Sequence, residues 1–199
     1  MVEKLLDDTK LIKVPKELAT QLRLTAGRLG TNLSDYATEA LSQALRVDDM
    51  GSNLEEAVDT FQMVNVHRGA GLVNLPRNSL TRIVSMVPDE AVNILHEGSM
   101  EAGRWYAAYI SSKLSSDTIL AFLENDLRVS WNLDEVEIVE EDVVVHFRAT
   151  SFNMTKDITE LLVLYTRGVF EELGYSVSEE DVLPGLVSFT FLKTSSNLT

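Results

Sequence analysis

Residues 9–14, "TKLIKV", alternate between two faces, with Ile12 and Val14 on one and Thr9, Leu11 and Lys13 on the other. That is the period of a strand. From Pro15 the period lengthens: Leu18, Leu22, Ala26 and Leu29 recur at spacings of three and four. This predicts a helix from about Pro15 to Leu29, opened by a proline whose missing N–H costs nothing in a first turn and stopped by Gly30. In "TNLSDYATEAL", Asn32 is the expected cap of a second helix, with Asp35 at its third position. Tyr36, Ala37, Ala40, Leu41 and Ala44 form its inner face.

A strand and two short helices cannot stabilise themselves. Below about 40 residues a single core rarely suffices, and a solitary strand leaves its backbone groups unpaired. A two-fold dimer solves both problems: the strand pairs antiparallel with its own copy, and four helices close a shared core. Ile12 and Val14 then face inward, and Thr9, Leu11 and Lys13 face solvent.

These features carry a resemblance. The alternating strand, "VPKEL", the "RLG" helix end and "TNLSDYATEAL" resemble the ribbon-helix-helix family of Arc/MetJ-class repressors over residues 9–45. In that family the two-stranded ribbon enters the major groove of double-stranded DNA. The resemblance implies Thr9, Leu11 and Lys13 as base readers: Lys13 toward guanine, Thr9 toward either donors or acceptors, and Leu11 toward a thymine methyl. It also implies that Asn32, Leu33 and Ser34, at the amino end of the second helix, hold a phosphate. Leu11 stands where a polar reader is more usual.

After a turn cluster at residues 47–53, "NLEEAVDTFQ" predicts a short connecting helix capped by Asn53. "FQMVNVHRGAGLVNLP" predicts one or two strands around a glycine turn. "PRNSLTRIVSMV", "PDEAVNILHEGSMEAGRWYAAYISSKL" and "SSDTILAFLENDL" predict helices, the last capped by Ser116 or Asp117. Strands "EVEIVEE" and "VVVHFRAT", helix "DITELLVLYTRGVFEELG", and strands "YSVSEEDV" and "LVSFTFLK" follow. Runs of helix followed by runs of strand favour an α+β body with antiparallel strands over a doubly wound sheet. The expected division is a head at 1–47, a connecting helix at 48–60 and a body at 61–199.

The body carries a second resemblance. "LHEGSMEAGRWYAAYI", then "VEIVEEDVVVHFRATSF" and "LYTRGVFEELGYSV" are similar to four-vinyl-reductase-type ligand-binding domains, relatives of haem nitric-oxide-binding and transport-particle domains. The markers are Gly98, Gly103, Arg104, Gly168 and Gly174; the cysteines usual in that family are absent, and with them any zinc site. The resemblance implies a small apolar or aromatic ligand. Trp105, Tyr106 and Tyr109, on one helix, are its candidate contacts, with Phe122, Trp131 and Phe170 as neighbours. The plainer alternative for each is a place in the core.

Charge divides the chain in the same way. Residues 1–46 hold seven Lys/Arg and six Asp/Glu, about +1, whereas the whole chain carries −14. The body is therefore strongly acidic and is expected to face away from phosphates. Zero cysteines exclude disulfides and thiolate chemistry. "RGAGLVN" lacks the third glycine of a dinucleotide loop, and "HEGSM" lacks a zincin's second histidine. His67 and His146 are expected on strands and His96 on a helix, with no metal and no cofactor. Adjacent carboxylates such as Glu140 and Glu141 diverge on a strand. No apolar run reaches the about 20 residues of a membrane span, and a cytoplasmic location follows by default.

The expectation is a dimeric DNA-binding regulator, not an enzyme, with a small-molecule-sensing or oligomerising body; a tetramer is left open. The alternatives are a protein-interaction module whose head only dimerises and, on the body's resemblance alone, a tetrapyrrole- or aromatic-processing enzyme.

Overall fold

Pro15 precedes the first helix, α1 (Lys16–Arg28), and Gly30 ends it with φ near +71°, a conformation that a side chain would strain. The Thr31 N–H closes back on the Ala26 carbonyl at 3.0 Å. Helix α2 (Leu33–Asp49) starts where Asn32 accepts a hydrogen bond from the Asp35 amide at 2.9 Å, as the sequence predicts. The computed structural model describes residues 11–194, so Thr9 and Lys10 of the expected strand lie outside the described residues. Residues 11–14 are neither helical nor part of a sheet within the chain, and all four are exposed.

The chain divides into two compact units, the first ending at Val58 and the second starting at Asp59. In the first, α1 packs on α2, but Ala26 is the only buried side chain of residues 11–58. The next helix, α3 (Leu54–Ala70), corrects the sequence expectation. "FQMVNVH" is helix, not strand, and the connecting helix runs well past residue 60. Asn53 caps it by accepting from the Glu56 amide at 2.9 Å, and Met63 and Val66 are its buried positions, three apart. His67 therefore stands on a helix.

The second unit continues with α4 (Arg77–Val84), α5 (Asp89–Ser111) and α6 (Ile119–Ser130). No side chain caps α6, whose preceding residue is Thr118 rather than Ser116 or Asp117. Strands β1 (Glu135–Glu141) and β2 (Val144–Thr150) form a hairpin; α7 (Lys156–Glu172) crosses over; β3 (Tyr175–Leu183) and β4 (Leu186–Lys193) form a second hairpin. The sheet is antiparallel throughout, in the order β1-β2-β4-β3. The second unit is thus α+β; with α1 and α2 of the first unit, the described residues form seven helices.

Alternation along β2 and β4 turns Val145, Phe147, Ala149, Val187, Phe189 and Phe191 onto α7, leaving His146, Arg148, Ser188 and Thr190 on the other face. Helix α7 is buried on most of its circumference because the sheet covers one side and α5 the other. The two helices cross where Gly103 meets the Tyr165 backbone and Gly168 meets the Met100 backbone. A Cβ at either glycine would fall 2.1 or 2.2 Å from a carbonyl oxygen. Arg104 and Glu171 then clasp the crossing at 2.7 Å. Two of the sequence's family markers are therefore packing residues.

Candidate functional site

The second unit contains a buried polar cluster built by α3, α5, α6 and α7. On α6 the inner stripe reads Ile119, Leu123, Asp126 and Leu127, which places a carboxylate among apolar neighbours. Asp126 is 2% exposed, and its partner is His67 of α3: Nε2 faces Oδ1 in a very short contact. With the carboxylate ionised, Nε2–H donates. An unpaired carboxylate would be costly at this depth, so the imidazole is what makes the position tenable. Tyr106 of α5 and Tyr165 of α7 complete the cluster. Burial first, and the Asp126 carboxylate second, hold both phenols far above the ordinary tyrosine value. Both hydroxyls therefore stay protonated at neutral pH. The Tyr106 hydroxyl, fully buried, lies beside the Asp126 carboxyl but makes no hydrogen bond of good geometry among the described residues.

An open apolar groove of about 560 Å³ lies on the same unit. Leu80 of α4, Ala91, Ile94 and Leu95 of α5, Leu161 of α7 and Trp131 line it, and Gly98 keeps one wall low. The Ser99 hydroxyl, its one polar side chain, is spent on the Leu161 carbonyl at 2.8 Å. Such a surface suits an uncharged apolar molecule and offers no charge to a polar one.

Of the three expected ligand contacts, the helical period sets Tyr106 apart from Trp105 and Tyr109. Tyr106 points into the core. Trp105 is half exposed and stacks on Tyr109, with ring centroids 5.6 Å apart, and Lys113 lies over the Tyr109 ring at 5.7 Å. The Tyr109 hydroxyl lies where a Cβ on Gly69 would be. None of the three lines the groove. Of their expected neighbours, Trp131 does, while Phe170 is core and stacks on Phe191 at 4.1 Å.

Of the DNA-reading candidates, Thr9 lies outside the described residues. Leu11, Lys13, Asn32 and Ser34 are exposed, and Leu33 is half-buried at the start of α2. The Asn32 side chain is already occupied, accepting from Asp35 and donating to its carboxylate.

The histidines do not converge. His67 meets Asp126, His96 stands 3.7 Å from Glu160, and His146 stands 3.5 Å from the Thr190 hydroxyl. Among the described residues no three His, Cys, Asp or Glu side chains gather as a metal site. No described helix is long and apolar enough to cross a membrane.

Sequence reading missed His67 with Asp126, because their meeting spans 59 residues and His67 was expected on a strand. The legible signal was Asp126 itself, an acid on the apolar stripe of "ILAFLENDL". Comparison with known protein families, curated proteins and solved structures gave no match to this chain.

Proposed function

We propose that the chain is a DNA-binding transcription regulator that acts as a dimer, its first unit forming a ribbon-helix-helix head and its second unit holding a small apolar molecule. One observation carries the reading. Residues 11–58 expose the very side chains that such a head would bury: Ile12 is 69% exposed, Val14 43% and Leu18 47%. Fully burying a side chain of this kind is worth about 1.5–3 kcal/mol, so the exposed set is a substantial drive toward a second copy. Residues 11–14, part of no helix or sheet in their own chain, are available to pair with that copy.

In this reading the paired strands enter the major groove, with Thr9, Leu11 and Lys13 facing base edges and the amides of Asn32, Leu33 and Ser34 near a phosphate. Asp35, in the first turn of α2, weakens that phosphate contact. The near-neutral head and acidic body mean that affinity comes from few cations and depends on salt through them. The apolar groove supports the ligand-holding part of the reading, at residues other than those the sequence singled out.

The test is binding of the full chain to DNA from its own upstream region, followed by fluorescence anisotropy at ionic strengths from about 20 to 200 mM. Salt-dependent binding is expected, and Lys13→Ala should reduce the log–log salt slope by about 1. No binding at the lowest salt would leave the head a dimerisation module.

A further inference from the structure

The groove and α3 are joined by a short chain of rings inside the second unit. Trp131, the residue that ends α6, forms part of the groove wall. Its ring centroid lies 5.5 Å from that of Tyr165, Tyr165 lies 6.4 Å from Tyr106, and Tyr106 lies 6.4 Å from the His67 imidazole. A second route runs along α6 itself, since Asp126, the partner of His67, precedes Trp131 by little more than one turn. Both routes end on His67.

We propose that this circuit reports occupancy of the groove to α3: a molecule packed against Trp131 fixes the tilted Tyr165–Tyr106 ring pair and the end of α6, and thereby tightens the His67–Asp126 contact that holds the second half of α3. The inference rests on the reading that the groove takes an apolar ligand. Close-packed rings cannot shift singly without opening voids. Asp126 is buried, and opening its contact with His67 would leave its carboxyl without that hydrogen-bond partner. Motion at Trp131 must therefore either carry His67 along or break its contact, which makes α3 a two-position element rather than a compliant one. A ligand shifts such an element only by preferring one of its positions. Helix α3 runs unbroken from Leu54 to Ala70. On α3, Met63 and Val66 are buried apolar positions, whereas His67 supplies the polar contact to Asp126.

The experiment uses the full chain with Trp105→Phe, which leaves Trp131 as the sole tryptophan of the two. Bromobenzene serves as the probe, because it is apolar and quenches indole fluorescence. Saturable quenching of Trp131 tests the groove. Hydrogen exchange of the α3 amides, with and without bromobenzene, tests the circuit. Exchange over residues 59–70 is expected to slow at least fivefold when the probe saturates. In His67→Gln, quenching should persist while the slowing falls below twofold. Gly98→Leu, which adds a side chain in open space on the groove wall, should slow α3 exchange without any probe. That arm also keeps the question decidable if His67→Gln fails to fold. Saturable quenching with less than fivefold slowing, or equal slowing in His67→Gln, overturns the inference and leaves the groove standing. Absence of saturable quenching removes the groove reading and the inference with it.

Discussion

Leu18→Ala separates a shared core from a free-standing head. In one chain Leu18 is 47% exposed, and Leu24 on the same helix is 67% exposed, so a monomer would treat the two residues alike. Truncating an exposed leucine on a helix changes stability by about 0.5 kcal/mol or less, and alanine's helix propensity offsets even that. A dimer treats them differently. Leu18 belongs to the stripe of Leu22 and Ala26 that the proposed dimer would bury, whereas Leu24 lies off that stripe. Removing a buried leucine side chain costs about 2–5 kcal/mol. Two-fold symmetry enters that loss twice, so even the low end gives about 4 kcal/mol per dimer. At about 1.4 kcal/mol per decade, the dissociation constant rises roughly a thousandfold. Sedimentation equilibrium from nanomolar to micromolar protein reads this directly. The expected result is a loss of about three decades for Leu18→Ala and a change within about threefold for Leu24→Ala. Equal shifts in the two variants, or a wild-type chain that is monomeric throughout, would refute the reasoning.

Other outcomes follow from the second unit. Gly168→Ala forces a methyl group to 2.2 Å from the Met100 carbonyl, backbone against backbone, and should cost at least about 1–3 kcal/mol, seen as a melting point lower by roughly 2–4 °C per kcal/mol. Gly98→Ala, which meets open space, should instead be neutral or stabilising by up to about 1 kcal/mol in the same melt. Asp126→Ala removes the partner of His67 and leaves a void beside it; urea unfolding should show a loss of about 1–3 kcal/mol, and no measurable loss would contradict a structural role for this contact. Tyr106 and Tyr165 have folded pKa values raised by burial and by Asp126. The unfolded chain therefore releases protons above pH about 10 that the folded chain keeps, so stability is intact below that pH and falls as pH rises beyond it, by up to about 2.7 kcal/mol per unit for the two groups. Urea midpoints between pH 9 and 11 check the sign.

Much of the architecture was legible because local signals agreed with the tertiary outcome. Pro15, Gly30 and Asn32 delimit α1 and α2 with their own backbone chemistry, and the alternation in "EVEIVEE" and "LVSFTFLK" survives because one sheet face is buried. Helix α3 was misread where two periods compete. Phe61, Met63 and Val66 can pass for an interrupted alternation rich in β-formers, but the Asn53 cap and the three-residue step from Met63 to Val66 decide for helix. Gly71, with φ near +70°, follows the helix end rather than making a hairpin turn. The polar cluster was hidden for the same reason, since an imidazole expected on a strand could not be placed against an acid on α6. The expected ligand contacts were read from nearness in sequence. Trp105 and Tyr106, adjacent on α5, point about 100° apart around the helix, and the groove takes its wall from Trp131 instead.

The proposed pairing of residues 9–14 with their copy is best tested by a single nitroxide label. The chain has no cysteine, so Lys13→Cys labels one position per subunit without further change. In a two-stranded antiparallel ribbon, with strands about 5 Å apart and about 3.3 Å per residue, the two labels fall within about 25 Å of each other. Spin–spin distances at micromolar dimer should show that separation and lose it on dilution with unlabelled chain. A longer distance, or no coupling between subunits, would contradict the shared ribbon.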